Sequence, residues 1–407
     1  MRLSKIIIVL LIGSLFLSEP LAFFHKGLSG VLKLGTYFGM LLFSILTLKY
    51  SKKLLFFIGA AILLLLANIN NGFSAAAGVE EGVRYLFPII TLLFGYAIRK
   101  NLALLISLFV VFAVINNLWQ LVNYFNWWLD IPQWFYHRYH NGAIVLIPES
   151  AGVLRATGLL GFFGAFGFLN FVSFFLVRFY YHKKYKKVLL VLFGVGVFLS
   201  LSMTLMGVFV ITLLLSGGLT RFVKVSTVGV LITFIFISFN PHRTRLLLRE
   251  LDRKISFYIT EGNSARSESY RVMYNEIVNG NLLGRGVGVF GGPSSTKYNS
   301  PFYEAVNFNW HSMSFLKTTD TFYPHLFVEL GIVGGVIFIL MIISPVFKWK
   351  FSRRELTVLG ILYFVLLFDS IFAFSLKNPS LLLCSLLFVY PIIHYETKVR
   401  RLKEKLN

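Results

Sequence analysis

In the run TTDTFYPHLFVELGIVGG, Asp320, His325 and Glu329 follow one another at steps of five and four residues. Residues four apart share a helix face, so a carboxylate at Glu329 would orient an imidazole at His325. Histidine is the commonest general base near neutral pH. Asp320 is the rival base, provided that desolvation raises its basicity. Both remain open as the acceptor of a proton, with His311 in NWHSM behind them. The plainer alternative for His325 is a polar residue at a membrane entrance, satisfied by backbone or water.

Four arginines offer a second kind of chemistry. Arg155 lies in LRATGLLGF, Arg266 and Arg271 in SARSESYRVMYNEIVNG, and Arg84 follows Glu80 and Glu81. A guanidinium binds phosphate oxygens through a planar fork and keeps its charge at any accessible pH. Cations fixed at a helix end would stabilise a developing negative charge without reorganising during a reaction. Arg266 and Arg271 read equally well as solvated surface charges. Arg84 and Glu80 stand at i,i+4 and neutralise one another in the structural reading; in the functional reading Arg84 is a fourth phosphate ligand. Asp369, deep in FVLLFDSIFAF, has no obvious partner in sequence and marks a polar cavity.

The elements that must position these groups are membrane helices. The chain has 407 residues, of which 57% are hydrophobic and 14% charged, with a mean hydropathy of +0.74. That composition belongs to the membrane class. Twelve apolar runs approach the length that crosses a hydrocarbon core, roughly 17–25 residues: 6–24, 30–48, 54–70, 77–98, 102–124, 158–180, 187–202, 204–219, 225–239, 322–347, 356–376 and 380–395. The pair around Ser202 is short and reads also as one bent hairpin. With a cytoplasmic N-terminus, short inside loops and the two ends hold 23 of the 39 Lys and Arg residues, as the positive-inside bias requires. Both termini are then cytoplasmic. The net charge of +22 is largely topogenic and faces anionic lipid, so nucleic acid is not an expected partner. The first 24 residues read as a retained helix rather than a cleaved signal. The single Cys384 excludes an internal disulfide.

We expect one membrane domain, 1–407, with two long outer segments at 126–157 and 240–321 capping a site. The first opens with NWWLDIPQWFYHRYH, an interfacial aromatic belt or a stacking platform for sugar rings. The second holds ten Lys and Arg residues and seven carboxylates. Its RTRLLLRELDRKISFYI reads as an amphipathic surface helix carrying Arg243, Arg245, Arg249 and Arg253. The spacing then predicts a helix over 264–278, ended by Asn279 and Gly280, and a tight glycine path through Gly284, Gly286, Gly288, Gly291 and Gly292. GRGVG is neither a phosphate loop nor a dinucleotide fingerprint.

Arg266 with Tyr270 four residues on, then LLGRGVGVF, then an ionisable residue ahead of ELGIVG, resembles the O-antigen ligase/polymerase superfamily of bacterial membrane glycosyltransferases. LRATGLLGF, starting a helix after an outer loop, is similar to that family's arginine–glycine motif. The resemblance covers the pattern of about twelve spans and motifs over about 110 residues. It implies an all-α polytopic fold of GT-C-like kind, with short helices in the large outer loop. It also implies a metal-independent, inverting glycosyltransferase without a cofactor. The donor and acceptor would be undecaprenyl-diphosphate-linked glycans, on the outer face of a bacterial inner membrane, and a chain-length regulator is a candidate partner. His325 and Asp320 would be the catalytic candidates; Arg155, Arg266, Arg271, Arg84, Tyr270 and Glu329 would bind substrate. The sequence departs from the family where Asp320 replaces a histidine, where Asn281 replaces a proline, and where SLSMTLMGVF lacks an arginine. Aspartate at that place is closer to the repeat-unit polymerases of Wzy type than to ligases that load glycan onto a lipid core. A lipid-linked-oligosaccharide flippase is the alternative from another class; the absence of symmetric halves and the crowding of charge into one loop argue against it.

Overall fold

The structure is a computed structural model that describes residues 2–47, 50, 52–129, 131, 149–150, 153–217, 249, 264–311, 318–347 and 351–406. Apolar segments form helices because each backbone polar group removed from water must be satisfied within its own segment. The long elements are α1 (Arg2–Phe24), α2 (Lys26–Thr47), α3 (Lys52–Asn70), α4 (Ala75–Ala97), α5 (Leu102–Trp128), α6 (Phe163–Tyr180), α7 (Lys186–Leu199) and α8 (Met203–Gly217). After them come α9 (Ala265–Val278), two short turns α10 (Pro293–Lys297) and α11 (Phe302–Ala305), then α12 (Phe322–Ile343), α13 (Arg353–Phe372), α14 (Pro379–Cys384) and α15 (Leu386–Leu406). A two-residue antiparallel ladder pairs Glu149–Ser150 with Val153–Leu154.

The chain is an all-α, membrane-embedded protein. Among the described residues seven helical stretches are long and apolar enough to cross a bilayer, and Leu54–Asn70 and Met203–Ser216 are shorter apolar helices. Among the described residues, seven of the twelve runs read from hydropathy coincide with these full-length helices. The run 77–98 forms α4, whose first turns carry three charges, and 187–202 with 204–219 forms two helices turned at Leu201, which has φ 48. The run 225–239 lies outside the described residues, as do most of RTRLLLRELDRKISFYI and positions 132–148.

Helix ends follow the side chains able to cap them. Ser264 and Ser267 form a reciprocal box that starts α9 at the predicted place, and Gly280 leaves it with φ 74. Ser352 and Glu355 box the start of α13, while Asn378 accepts from the N–H groups of Ser380 and Leu381 ahead of Pro379. Each such cap is worth about 1 kcal/mol. The core between helices is aromatic: Tyr85, Phe94, Phe109, Phe166, Phe171 and Phe175 are fully enclosed. α4 sits centrally, packed against α2, α3 and α15.

α12 is not one continuous helix. Gly331 has φ 68 and ψ −177, which breaks the ladder in an apolar stretch. The glycine path repairs the break. Arg285 and Gly286 N–H donate to the carbonyls of Val328 and Glu329, and Ile332 and Val333 N–H donate to the carbonyls of Asn281 and Leu282. This approach needs glycine, since a Cβ on Gly284 would lie 2.1 Å from the Glu329 carbonyl oxygen. We expect Gly284→Ala to destabilise the protein by more than about 2 kcal/mol, from the clash and the φ of 91. Gly360→Ala, in open space on α13, should stabilise by about 0.5–1 kcal/mol. Denaturant unfolding of the detergent-solubilised protein compares them; equal effects would remove the glycine path from its structural role.

Candidate functional site

The repaired break brings buried charge together. His325 and Glu329 lie one turn apart on the first half of α12, both with 0% exposure. Glu329 is fully occupied. Its Oε1 accepts from the Gly288 N–H at 2.7 Å and the Phe290 N–H at 3.3 Å. Its Oε2 lies 3.0 Å from the Tyr85 hydroxyl and 2.6 Å from His325 Nε2. Two backbone donors from the glycine path thus fix the carboxylate, and the carboxylate fixes the imidazole.

On the other side of His325, the Lys377 Nζ stands 3.0 Å from Nε2 and 2.9 Å from Glu81 Oε1. It also lies 3.3 Å from the centre of the Tyr85 ring. Burial pulls the Lys377 ammonium below the ordinary lysine range, and the Glu81 and Glu329 carboxylates pull it back. Glu81, itself fully buried, accepts from Arg84 at 2.5 Å. Arg84 reaches Glu80 at 2.9 Å and the Ser294 hydroxyl at 2.7 Å, and Lys297 closes on Glu80 at 2.6 Å. The cluster sets three carboxylates against three basic side chains: Glu81, Glu329 and Lys377 are buried with the imidazole, where an unpaired charge would be costly, and Glu80 and Lys297 form its more exposed rim.

The imidazole Nε2 faces two neighbours with opposite demands. Nε2 cannot donate to Glu329 and accept from Lys377 at once: a proton there suits the carboxylate, and its absence suits the ammonium. Nδ1 is buried and, among the described residues, has no hydrogen-bond partner. The ring is covered by Gly292, where a Cβ would come within 2.6 Å of His325 Cε1. Chemically, this is a closed proton-holding network.

Asp320 belongs to a different and more open setting. Its φ is 54, a strained conformation for a residue with a side chain. Its carboxylate accepts from the Thr318 hydroxyl at 2.8 Å and faces Arg266 at 3.4 Å, with side chains 42% and 37% exposed respectively. A line of hydroxyls, Ser269 to Thr321 at 2.7 Å and Thr321 to Thr319 at 3.2 Å, runs behind this pair. The Thr319 N–H donates to the Gly291 carbonyl at 3.1 Å, and a Cβ on Gly291 would come within 3.0 Å of His325 Cβ. The open and closed settings are therefore neighbours through Gly291.

The four arginines occupy four settings, each with partners from the chain. Arg266 faces Asp320, and Arg84 is held in the buried cluster. Arg271, five residues beyond Arg266 and so about 140° round the helix, is bound by Glu268 at 2.9 and 2.5 Å and donates to the Val306 carbonyl. That bond holds the Glu268 carboxyl below its ordinary range. Arg155 lies 3.2 Å from the Phe163 ring centre and donates to the Leu201 carbonyl. Tyr270 donates to the Ile371 carbonyl at 2.8 Å and ties α9 to α13. Asp369 has the partner that its sequence neighbourhood hid, the Ser375 hydroxyl.

Lys377, Tyr85 and the backbone donors at Gly288 and Phe290 were missed from sequence. Lys377 carried one signal: it is a lysine in FSLKNPS, outside the short loops and chain ends that hold 23 of the 39 basic residues. Among the described residues no group of three His, Cys, Asp or Glu side chains is arranged to hold a metal ion. No protein-family model matches the chain, and no curated protein matches it.

The Glu81–Lys377 contact should behave as a buried ion pair. Lys377→Met should cost about 3–5 kcal/mol in unfolding free energy, and Glu81→Gln a similar amount. The double variant should cost clearly less than the sum. Strict additivity in that cycle would show that the two charges do not support one another.

Proposed function

We propose that the chain is a membrane glycosyltransferase that joins lipid-linked oligosaccharide repeat units, with a polyprenyl-diphosphate-linked glycan as donor and a sugar hydroxyl as acceptor. The observation that carries this reading is the open Arg266–Asp320 pair beside the sealed His325–Glu329 network. One transfer needs a cation for a leaving diphosphate and a base for an attacking hydroxyl, and these two groups stand in contact where solvent reaches both.

In this reading a diphosphate displaces Asp320 from Arg266, because a guanidinium binds phosphate oxygens in the same forked manner as a carboxylate. Asp320 is then released to take the acceptor's proton. The acceptor oxygen forms a bond to the donor's anomeric carbon from the side opposite the leaving group. The bond from that carbon to phosphate oxygen breaks, and the polyprenyl diphosphate leaves with the electron pair. Arg266 offsets the charge that develops there. His325, sealed by Gly291 and Gly292, positions the start of α12 and is the second candidate for the base, since catalytic hydrogen bonds often form only in the loaded enzyme. A ligase that transfers glycan to a lipid core uses the same donor chemistry and differs only in its acceptor.

A second reading has its own observation. A broken helix with buried charges beside it is the architecture by which secondary transporters hold an ion or an anionic substrate, and α12 with Glu81, Lys377 and Glu329 has that form. Purified protein with lipid-linked repeat units in detergent separates the two, because a carrier needs a gradient and a polymerase does not. We expect polymer to form there. Asp320→Asn should slow chain growth at least about 100-fold with unchanged helicity and melting temperature, and Arg266→Ala should do the same. Arg271→Ala should leave most of the rate. Full activity in both Asp320→Asn and Arg266→Ala would overturn the assignment, and loss only in His325→Ala would move the base to the buried network.

A further inference from the structure

At the opposite end of α4 the chain gathers positive charge around two cavities. Arg99 follows the last turn of α4, roughly 27 Å along the helix from Glu81 at 1.5 Å per residue. On α15, His394, Lys398, Arg401 and Lys405 recur at steps of four, three and four, so they share one face. Two adjoining cavities of about 450 Å³ and 720 Å³ open there, and Arg99, His394, Lys398 and Leu402 stand in the walls of both. Arg401 and Lys405 complete the smaller, and Lys100 the larger. Among the described residues no carboxylate lines either cavity, and Lys398, Arg401 and Lys405 form no ion pair. Of the acids on α15, Glu396 is turned to Ser352 and Arg354, and Glu404, beside Lys405, lines neither cavity.

Like charges at one-turn spacing repel, so a helix face built this way is more stable with an anion against it. The depth of the site says which anion. Its inner wall is aromatic: the Tyr96 and Tyr390 rings meet at 4.9 Å, and the Arg99 guanidinium lies 4.3 Å over Tyr96. Tyrosines of this kind mark the headgroup level of a bilayer. Below them α15 is apolar and buried through Leu386, Leu387, Phe388 and Val389, and above them it is charged. We propose that these cavities form a binding site for the phosphate of an anionic phospholipid headgroup, gripped by Arg99, Lys398 and Arg401, with its acyl chains lying along the bundle. Basic pockets between membrane helices bind such headgroups. The same phosphate chemistry is available from free inorganic phosphate, which lacks the apolar part that the tyrosine wall would receive.

Native mass spectrometry of the full-length protein released from nanodiscs tests the site. The probes are phosphatidylglycerol, phosphatidylcholine and inorganic phosphate. We expect one phosphatidylglycerol to be retained per protein, and phosphatidylcholine not. Lys398→Gln with Arg401→Gln should weaken that retention roughly 30-fold. Lys183→Gln with Lys184→Gln removes equal charge from the exposed α6–α7 turn at the same end and should leave retention unchanged. Equal loss in both double variants would reduce the effect to general surface charge and overturn the proposal. Displacement of the lipid by millimolar phosphate, or equal retention of phosphatidylcholine, would overturn the assignment to an anionic lipid.

Discussion

The loop end of this protein depends on backbone lying against backbone, where the glycine path meets the broken turn of α12. Four main-chain hydrogen bonds replace those that Gly331 removes, which is the condition for irregular backbone among apolar helices. The same approach delivers the N–H groups of Gly288 and Phe290 to Glu329. Without the break those two donors would have no carboxylate to reach, and Glu329 would be a buried charge with fewer partners than it has oxygen lone pairs.

The charges obey a second constraint, that none is left uncompensated in a low dielectric. Glu81 is neutralised from two sides by Arg84 and Lys377, and Glu80 from two sides by Arg84 and Lys297. This chain of contacts links α4, the loop after α13, α10 and α12, so electrostatics and topology describe one assembly. It also separates the polar groups into two kinds. The sealed set holds the architecture, and the Arg266–Asp320 pair stands where solvent reaches both side chains.

Much of this was legible from residue types. Helix α9 was readable at both ends because Ser264, Asn279 and Gly280 are local signals. The contact between His325 and Glu329 follows from their spacing alone, and so does that of Arg84 with Glu80. What was hidden is non-local. Glu81 and Lys377 are 296 residues apart, and no spacing rule joins them. ELGIVGG reads as uninterrupted helix in an apolar run, since glycine is tolerated within membrane helices. The break appears only when the glycine path is laid beside it. The spread of the arginines was hidden too. Glu268 and the carbonyls of Leu201 and Val306 capture guanidinium groups that sequence reading had gathered around a single ligand.

The interlocking of 281–286 with 328–333 also restricts how the chain length can vary. Adding or deleting one residue within either stretch would slide a donor past its carbonyl and unseat every bond of the repair together. Length changes are therefore confined to segments outside the junction, which behaves as a fixed-length clasp.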